Sequence, residues 1–334
     1  TTTDGTARSD YAGTIANYAG SGWTTADWVG NYKLVEGVGA QTISFGLHYD
    51  YNRLNNNNYS TVNWATADTG SVTAVGKGVT ETKALWAQDA WSLSQDLRLT
   101  TGLRYESWST FNGYLFSSSA SSVSGNQPNA SYEHFSPKLS LAYDASKNWL
   151  ITGSLANAMR FPTTGELYNI VSSTNPQTSG TLGTSYLVPN PSGIKPENVW
   201  STELSFENHG HDGFIRTTLF AEQVNDALIS QYGYLTGTIV TSPFLFSYWQ
   251  NMKKVRTYGL EVSGLSKDLV IKGFDFGGSI TLVKSTIVES DGLGSSHQSI
   301  VGNATPGVSP LRITSLATYR PDDKLTLSLA ARLS

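Results

Sequence analysis

The sequence predicts an all-β fold, a transmembrane antiparallel up-and-down β-barrel, and three observations predict it. Apolar and polar residues alternate in run after run with the two-residue period of a strand. Short turns alternate with polar segments of roughly 20 to 35 residues, where loops of a compact soluble domain have a median of about 4–6. Charged residues make up only 14% of the 334, against roughly 25% in soluble globular proteins. No run approaches the ~18 consecutive apolar residues of a spanning helix, and the mean hydropathy is −0.24. A barrel escapes that measure, because its strands are apolar at only every second position.

In chain order, residues 1–26 are rich in Gly, Ser, Thr and Asn and read as loop. Trp28–Val35 reads as a strand, and Glu36–Ala40 as a tight turn. Ile43, Phe45, Leu47, Tyr49 and Tyr51 then form one face of a strand whose other face carries His48 and Asp50. A polar segment containing Asn55–Asn58 is expected to loop as far as Glu81. Leu85, Ala87, Trp91 and Leu93 share the next apolar face, and Ser94–Asp96 turns the chain. Leu97, Leu99, Leu103 and Tyr105 alternate with Arg98, Arg104 and Glu106 before a second expected loop, Phe111–Glu133.

Leu139, Leu141 and Tyr143, then Trp149, Ile151 and Leu155, form two strands across the turn Asp144–Asn148. After a Gly/Pro/Ser/Thr-rich interval, Trp200, Thr202, Leu204 and Phe206 alternate with Ser201, Glu203, Ser205 and Glu207. Asn208–Gly213 turns into the strand Phe214–Val224, and Leu228–Gln250 is a further expected loop. Tyr258–Val262, Phe274–Leu282, Leu311–Tyr319 and Leu325–Leu333 complete the strands. Six short turns, near Gly37, Gln95, Ser146, Gly210, Lys267 and Asp322, join about twelve strands, and the long segments all fall at the opposite end. Outer-membrane barrels have that asymmetry, with short turns on the periplasmic side and long loops outside.

In hydrocarbon every backbone N–H and C=O needs a partner, so strands cross a bilayer only within a closed ring. Leu97, Leu99, Leu103 and Tyr105 would face lipid, with Arg98, Arg104 and Glu106 facing the interior. The opposite register would place several charges in lipid at about 2–4 kcal/mol each near the midplane. Trp28, Tyr51, Trp91, Tyr105, Trp149, Trp200 and Tyr319 stand near strand ends, as an interfacial girdle requires.

Three stretches also resemble the barrel of TonB-dependent outer-membrane receptors: Phe135-Ser136-Pro137 leading a strand, Met159-Arg160-Phe161-Pro162-Thr163 followed by Glu166-Leu167-Tyr168, and Ile194-Lys195-Pro196-Glu197 leading to Glu203-Leu204. Asn251-Met252 and Gly259-Leu260-Glu261 fit the same pattern. Ile194 stands where the family has Leu, and Ser205 where it has Gly. The resemblance implies a structural role for Arg160, Pro162, Glu166, Leu167, Tyr168, Lys195, Pro196, Glu197, Glu203, Gly259 and Glu261, whatever the ligand. It also implies that residues 1–334 are part of a larger barrel of 22 strands, whose plug domain would precede Thr1 and whose last strands would follow Ser334. The opening Thr1-Thr2-Thr3-Asp4 lacks a signal peptide's basic and apolar regions, and the last alternating run ends without a turn.

There is no cysteine, which excludes thiolate metal sites and disulfide scaffolds. H-E-x-x-H, G-x-S-x-G, Walker and EF-hand patterns are absent, so no catalytic residue and no cofactor is expected. His209-Gly210-His211 sits in a short turn with no third ligand in sequence reach, and reads as solvated. A net charge of −4 gives a nucleic-acid partner no electrostatic support. Ligand capture is expected from aromatics at the long-loop end: Trp64, Tyr114, Phe116, Tyr232, Tyr234, Phe244, Phe246, Tyr248 and Trp249. Rigid aromatic faces bury large areas at little entropic cost. By resemblance the chain is expected in the bacterial outer membrane, contacting its lipid. The same resemblance implies energy-coupled uptake of a scarce nutrient, most often a ferric siderophore, driven by the TonB complex through the N-terminal region. The alternatives are a non-iron ligand such as cobalamin or an oligosaccharide, and a passive porin-like barrel.

Overall fold

The computed structural model describes residues 11–37, 39–118, 124–168, 170–174, 185–189, 194–237, 240–290 and 300–334. Almost all of it is antiparallel strand. The elements are β1 (Gly13–Asn17), β2 (Gly22–Val35), β3 (Gln41–Thr61), β4 (Val72–Ser92), β5 (Leu97–Ser117), β6 (Gly125–Asn126), β7 (Ala130–Asp144), β8 (Trp149–Arg160), α1 (Thr164–Tyr168), β9 (Ile170–Thr174), β10 (Ser185–Pro189), β11 (Glu197–His209), β12 (Gly213–Gly237), β13 (Val240–Ser266), β14 (Phe274–Glu289), β15 (Leu311–Asp322) and β16 (Leu325–Leu333). β9 and β10 pair only with each other; the rest form a 14-stranded sheet in the order β1-β3-β4-β5-β7-β8-β11-β12-β13-β14-β15-β16, with β2 on β3 and β6 on β5. β1 and β2 lie end to end along β3, pairing Gly13–Asn17 with Thr61–Asn57 and Gly22–Val35 with Arg53–Gln41. They amount to one strand interrupted at Tyr18–Ser21. Neighbours in space are neighbours in sequence, and the sheet is open between β2 and β16.

The two faces differ as the alternation predicts. Leu204, Leu219, Leu260, Leu282 and Leu311 stand opposite one another across five strands, a transverse row of leucine on the outer face. Leu85, Leu103, Phe135, Leu139 and Leu327 are likewise exposed. Leaving this much apolar surface in water would be unfavourable at about 25 cal/mol per Å², so the face is built for a non-aqueous neighbour. On the inner face polar groups meet each other. His48 Nδ1 lies 2.8 Å from Asp27, Arg104 Nε donates to Glu106 over 2.8 Å, and Thr281 donates to Glu261 over 3.0 Å. Arg216 pairs with Glu207 across the β11–β12 ladder.

All six short turns fall where the sequence puts them, but the long loops are mostly strand. Residues 13–26 form β1 and the start of β2; Asn55–Asn58 pair in register with Lys77–Ala74; β5 continues to Ser117; and Leu228–Gln250 belongs to the long β12–β13 hairpin. The reason is environmental. Beyond the apolar band burial no longer follows one face: Val75, Val79, Leu115, Leu228 and Met252 are buried by local packing, so the two-residue alternation fades while the backbone ladder continues. One local feature reverses the faces. Asn112 adopts φ 55° and adds a residue to β5 between the pairs Lys77↔Tyr114 and Val79↔Phe111. Such a bulge re-aims every following side chain. Arg104, Glu106 and Thr110 point inward before it; Gly113 and Leu115 do so after it.

Candidate functional site

The motif residues converge where β8 ends and the chain leaves the wall. Glu197 stands directly opposite Arg160 in the β8–β11 register, so residues 161–196 depart and return at one point. The Arg160 guanidinium closes that point: its Nε donates to Glu197, and Nη1 and Nη2 donate to Glu166 Oε1 over 3.0 and 3.1 Å. A fork with several donors in a plane suits two carboxylates at once. Glu197 also accepts the N–H of Leu228 from β12, which ties the cluster to the next strand.

Pro162 is buried and turns the chain into α1. Thr163 caps the helix: its Oγ1 accepts from Glu166 N at 3.2 Å, while Glu166 Oε2 accepts from Thr163 N at 2.8 Å. This reciprocal pair is a capping box, and it holds Glu166 in place for Arg160. At the helix end Tyr168 is 3% exposed, and its hydroxyl bonds to Thr110 of β5. Burial pushes its phenol up, so it stays neutral. Its ring fills a cradle made by Gly78 and Gly113, where an added Cβ would overlap it. Gly76 leaves the same room for the Tyr168 carbonyl.

Around this centre, Ile194 and Pro196 are buried and Lys195 is exposed. Asn251 fixes that segment, accepting from Lys195 N at 2.8 Å and donating to Lys195 O at 2.9 Å; it also donates to the carbonyl of Asp226. Met252, fully buried, packs with Ala227, Val255 and Ile287. Leu167 is half-buried on α1. Glu203, Gly259 and Glu261 lie on the inner face further down the wall, where the Phe220 ring occupies the space a side chain at position 259 would need. Below the strap, Asn31, Ser44, Gln88, Arg104, Glu106 and Lys138 line a recess of about 540 Å³ that reaches from β2 to β8 on the inner face. Residues from six successive strands of the wall can share one recess only because the sheet curves around it.

The aromatics expected to capture ligand do not form one group. Trp64 is exposed on the turn after β3, with its ring 6.0 Å from that of Tyr11. Tyr114 and Phe116 follow the Asn112 bulge and therefore share the outer face, away from the recess. Tyr232, Tyr234, Phe244, Phe246 and Tyr248 sit on the β12–β13 hairpin, with Tyr232 opposite Ser247 and Phe244 opposite Leu235; their side chains lie outside the described residues. Trp249 is half-buried and lines an inner recess of about 580 Å³ together with Glu197, Glu222, Leu228 and Val255. Of the nine, Trp249 is thus the one the described residues place beside the motif cluster. His209 and His211 each lie 2.5 Å from a neighbouring carboxylate, Glu207 and Asp212. Among the described residues no group of three potential metal ligands occurs.

Sequence reasoning missed the glycine cradle, the Asn112 bulge and the Asn251 tether. Gly76 and Gly78 do carry a legible signal: two glycines at strand spacing leave one face of β4 bare.

Comparison with known proteins agrees with this architecture. The family described as TonB dependent receptor-like, beta-barrel, matches residues 1–333. Solved structures with the same fold include the ferric citrate transporter FecA in its unliganded form, at TM-score 0.64 and 17% identity over 96% of this chain and 42% of that one. The ferric yersiniabactin uptake receptor FyuA from Yersinia pestis superposes with TM-score 0.62 at 14% identity, over 96% of this chain and 43% of its own. The copper transporter OprC does so with TM-score 0.60 at 16% identity, over 90% and 42%. The chain therefore spans less than half the length of these structures. No curated protein matches it significantly.

Proposed function

Because the chain belongs to the TonB-dependent receptor β-barrel family, we propose that it forms the central and late wall of an outer-membrane receptor that imports a scarce nutrient, a ferric siderophore first. Members of this family are transporters rather than enzymes, and reside in the outer membrane. The observation that carries the reading is the two-faced wall: a leucine row outside, paired charges inside, and strands that continue past the apolar band at one end only. In this reading a plug domain before residue 1 and further strands after residue 334 complete the barrel. The motif residues Arg160, Pro162, Glu166, Leu167, Tyr168, Lys195, Pro196, Glu197, Glu203, Gly259 and Glu261 serve structure. Trp249 and the hairpin aromatics Tyr232, Tyr234, Phe244, Phe246 and Tyr248 offer capture surface, with Trp64 further out, whereas Tyr114 and Phe116 face away from the interior.

Capture at nM affinity corresponds to about 12 kcal/mol. Release into the periplasm then requires work, which the TonB complex would supply through the N-terminal region. The test is uptake of radio-iron siderophore by cells carrying the full-length gene. Saturable uptake that stops when the TonB complex is removed is expected; uptake that rises linearly with concentration and ignores that removal indicates a passive pore. The similarity to the copper transporter OprC supports a second reading, a cargo other than a siderophore. Competition of siderophore, copper, cobalamin and oligosaccharide for one binding site separates these cargoes.

A further inference from the structure

We propose that the wall has a weak seam between the upper halves of β7 and β8, and that the strap Phe161–Tyr168 latches it shut from the inner side. The β7–β8 ladder pairs Lys138–Asp144 with Ala156–Leu150 and goes no further. Both strands nevertheless continue, β7 back to Ala130 and β8 on to Arg160. Each then follows its other neighbour: β7 stays on β5 as far as Thr110↔Ala130, and β8 stays on β11 as far as Arg160↔Glu197. Among the described neighbours in the sheet, this is the pair in which both strands outrun their shared ladder. The cause is legible at the break. The residue after Lys138 in that direction is Pro137, which has no N–H to give.

One side chain of β7, His134, spans the gap in place of the backbone, meeting Asn157 of β8 and, at 3.3 Å, Asn198 of β11. His134 Nε2 lies 2.5 Å from Asn157 Oδ1, and Asn157 Nδ2 donates to Asn198 Oδ1 over 3.1 Å and to the Val199 carbonyl over 2.9 Å. Asn157 is 5% exposed. The break begins beside Phe135 and Tyr105, whose rings are 5.0 Å apart. That is the level of the aromatic girdle, at which water can reach backbone groups.

The strap crosses this seam. Phe161, the first residue after β8, stacks on Trp108 of β5 with ring centroids 5.6 Å apart and planes 1° from parallel. Trp108 in turn lies 6.0 Å from Tyr132 of β7, and Tyr168 locks into the β4–β5 glycine cradle and bonds to Thr110. The segment thus fastens β8 to β5 and β4, passing over β7. Arg160 clamps its base, so a pull on residues 161–196 reaches the seam through Tyr168.

The test is amide hydrogen exchange, resolved by peptide, on the full-length receptor in lipid nanodiscs. Gly78→Ala crowds the ring out of its cradle, and Tyr168→Phe removes only the hydroxyl. Exchange in 130–137 and 157–161 should rise at least tenfold in the first variant and a few-fold in the second. Peptides 138–144 and 213–224 should stay at wild-type rates. A bis-maleimide cross-link between His134→Cys and Asn157→Cys, long enough to span the unpaired gap, should abolish the rise. Unchanged exchange in both variants, or a rise of equal size in 213–224, overturns the latch. None of these readouts depends on the ligand.

Discussion

At the scale of single residues, Arg160 decides the geometry of the upper wall. Removing it leaves Glu166 and Glu197, with side chains 9% and 13% exposed, facing each other without a counter-charge. Breaking a fully buried pair costs about 3–5 kcal/mol; with the Arg160 side chain 41% exposed, Arg160→Ala should cost about 2 kcal/mol. Glu166→Gln should cost less than Glu166→Ala, because glutamine still completes the capping box. Thr163→Ala should lose the cap alone, about 1 kcal/mol. The temperature at which the full-length receptor loses its compact gel mobility ranks the four, and Glu166→Gln falling to the level of Glu166→Ala would refute the capping role. Arg160, Glu166 and Glu197 were legible as a spaced motif. Their contacts were not, because the Tyr168 cradle is supplied by Gly78 and Gly113, far earlier in the chain.

At the scale of elements, strand existence was legible wherever one face meets an apolar medium and the other does not. Leu97–Tyr105 and Trp200–Phe206 are of that kind, and both were found. Asn55–Asn58, residues 228–237 and residues 240–250 are strand too, but burial there does not follow one face set against an apolar medium: Asn55–Asn58 are half-buried polar residues, and Leu228 is buried within the wall beside Ala227. The bulge at Asn112 was hidden for a different reason: one left-handed residue leaves no trace in a period-two pattern. It has a measurable effect. Asn112→Gly, which tolerates φ 55°, should leave the wall intact. Deleting Asn112 should restore even pairing and keep Tyr114 and Phe116 outward with Leu115 inward, because the residue removed is the one the bulge absorbs. Fluorescence quenching by a lipid-borne quencher checks it: in the deletion variant a probe at position 114 should stay quenched and one at 115 unquenched, and a quenched probe at 115 would refute the bulge's role. Replacing residues 231–247 by a short turn should spare the barrel, because it shortens the β12–β13 hairpin beyond the strands that pair with β11 and β14. Ligand binding should then weaken about 30-fold, the loss of one aromatic anchor worth about 2 kcal/mol.

At the scale of the whole molecule, two rows one residue apart have opposite tolerance for charge. The row through Leu204, Leu219, Leu260, Leu282 and Leu311 faces outward, whereas the one through Glu203 and Phe220 faces the interior. If the outer face meets hydrocarbon, Leu219→Arg in the full-length receptor should lose about 2–4 kcal/mol, since a guanidinium near the midplane sheds its water without gaining a partner. Thr218→Arg, one residue away, should be nearly neutral. Thr218 pairs with Glu261 across the ladder, on the wet side, and supplies the new charge with a carboxylate. Urea unfolding from lipid vesicles measures both, and nitroxide labels at Leu99, Leu204 and Leu327 add an independent reading through preferential contact with dissolved oxygen over a water-soluble nickel complex. Equal losses at 218 and 219 would mean that the two faces meet the same surroundings, and labels that gain no preferential contact with oxygen would mean that protein covers the leucine row. A soluble sandwich would also reject Leu219→Arg and tolerate Thr218→Arg, but its second sheet would shield labels on the leucine face from dissolved oxygen, whereas a bilayer concentrates oxygen around all three.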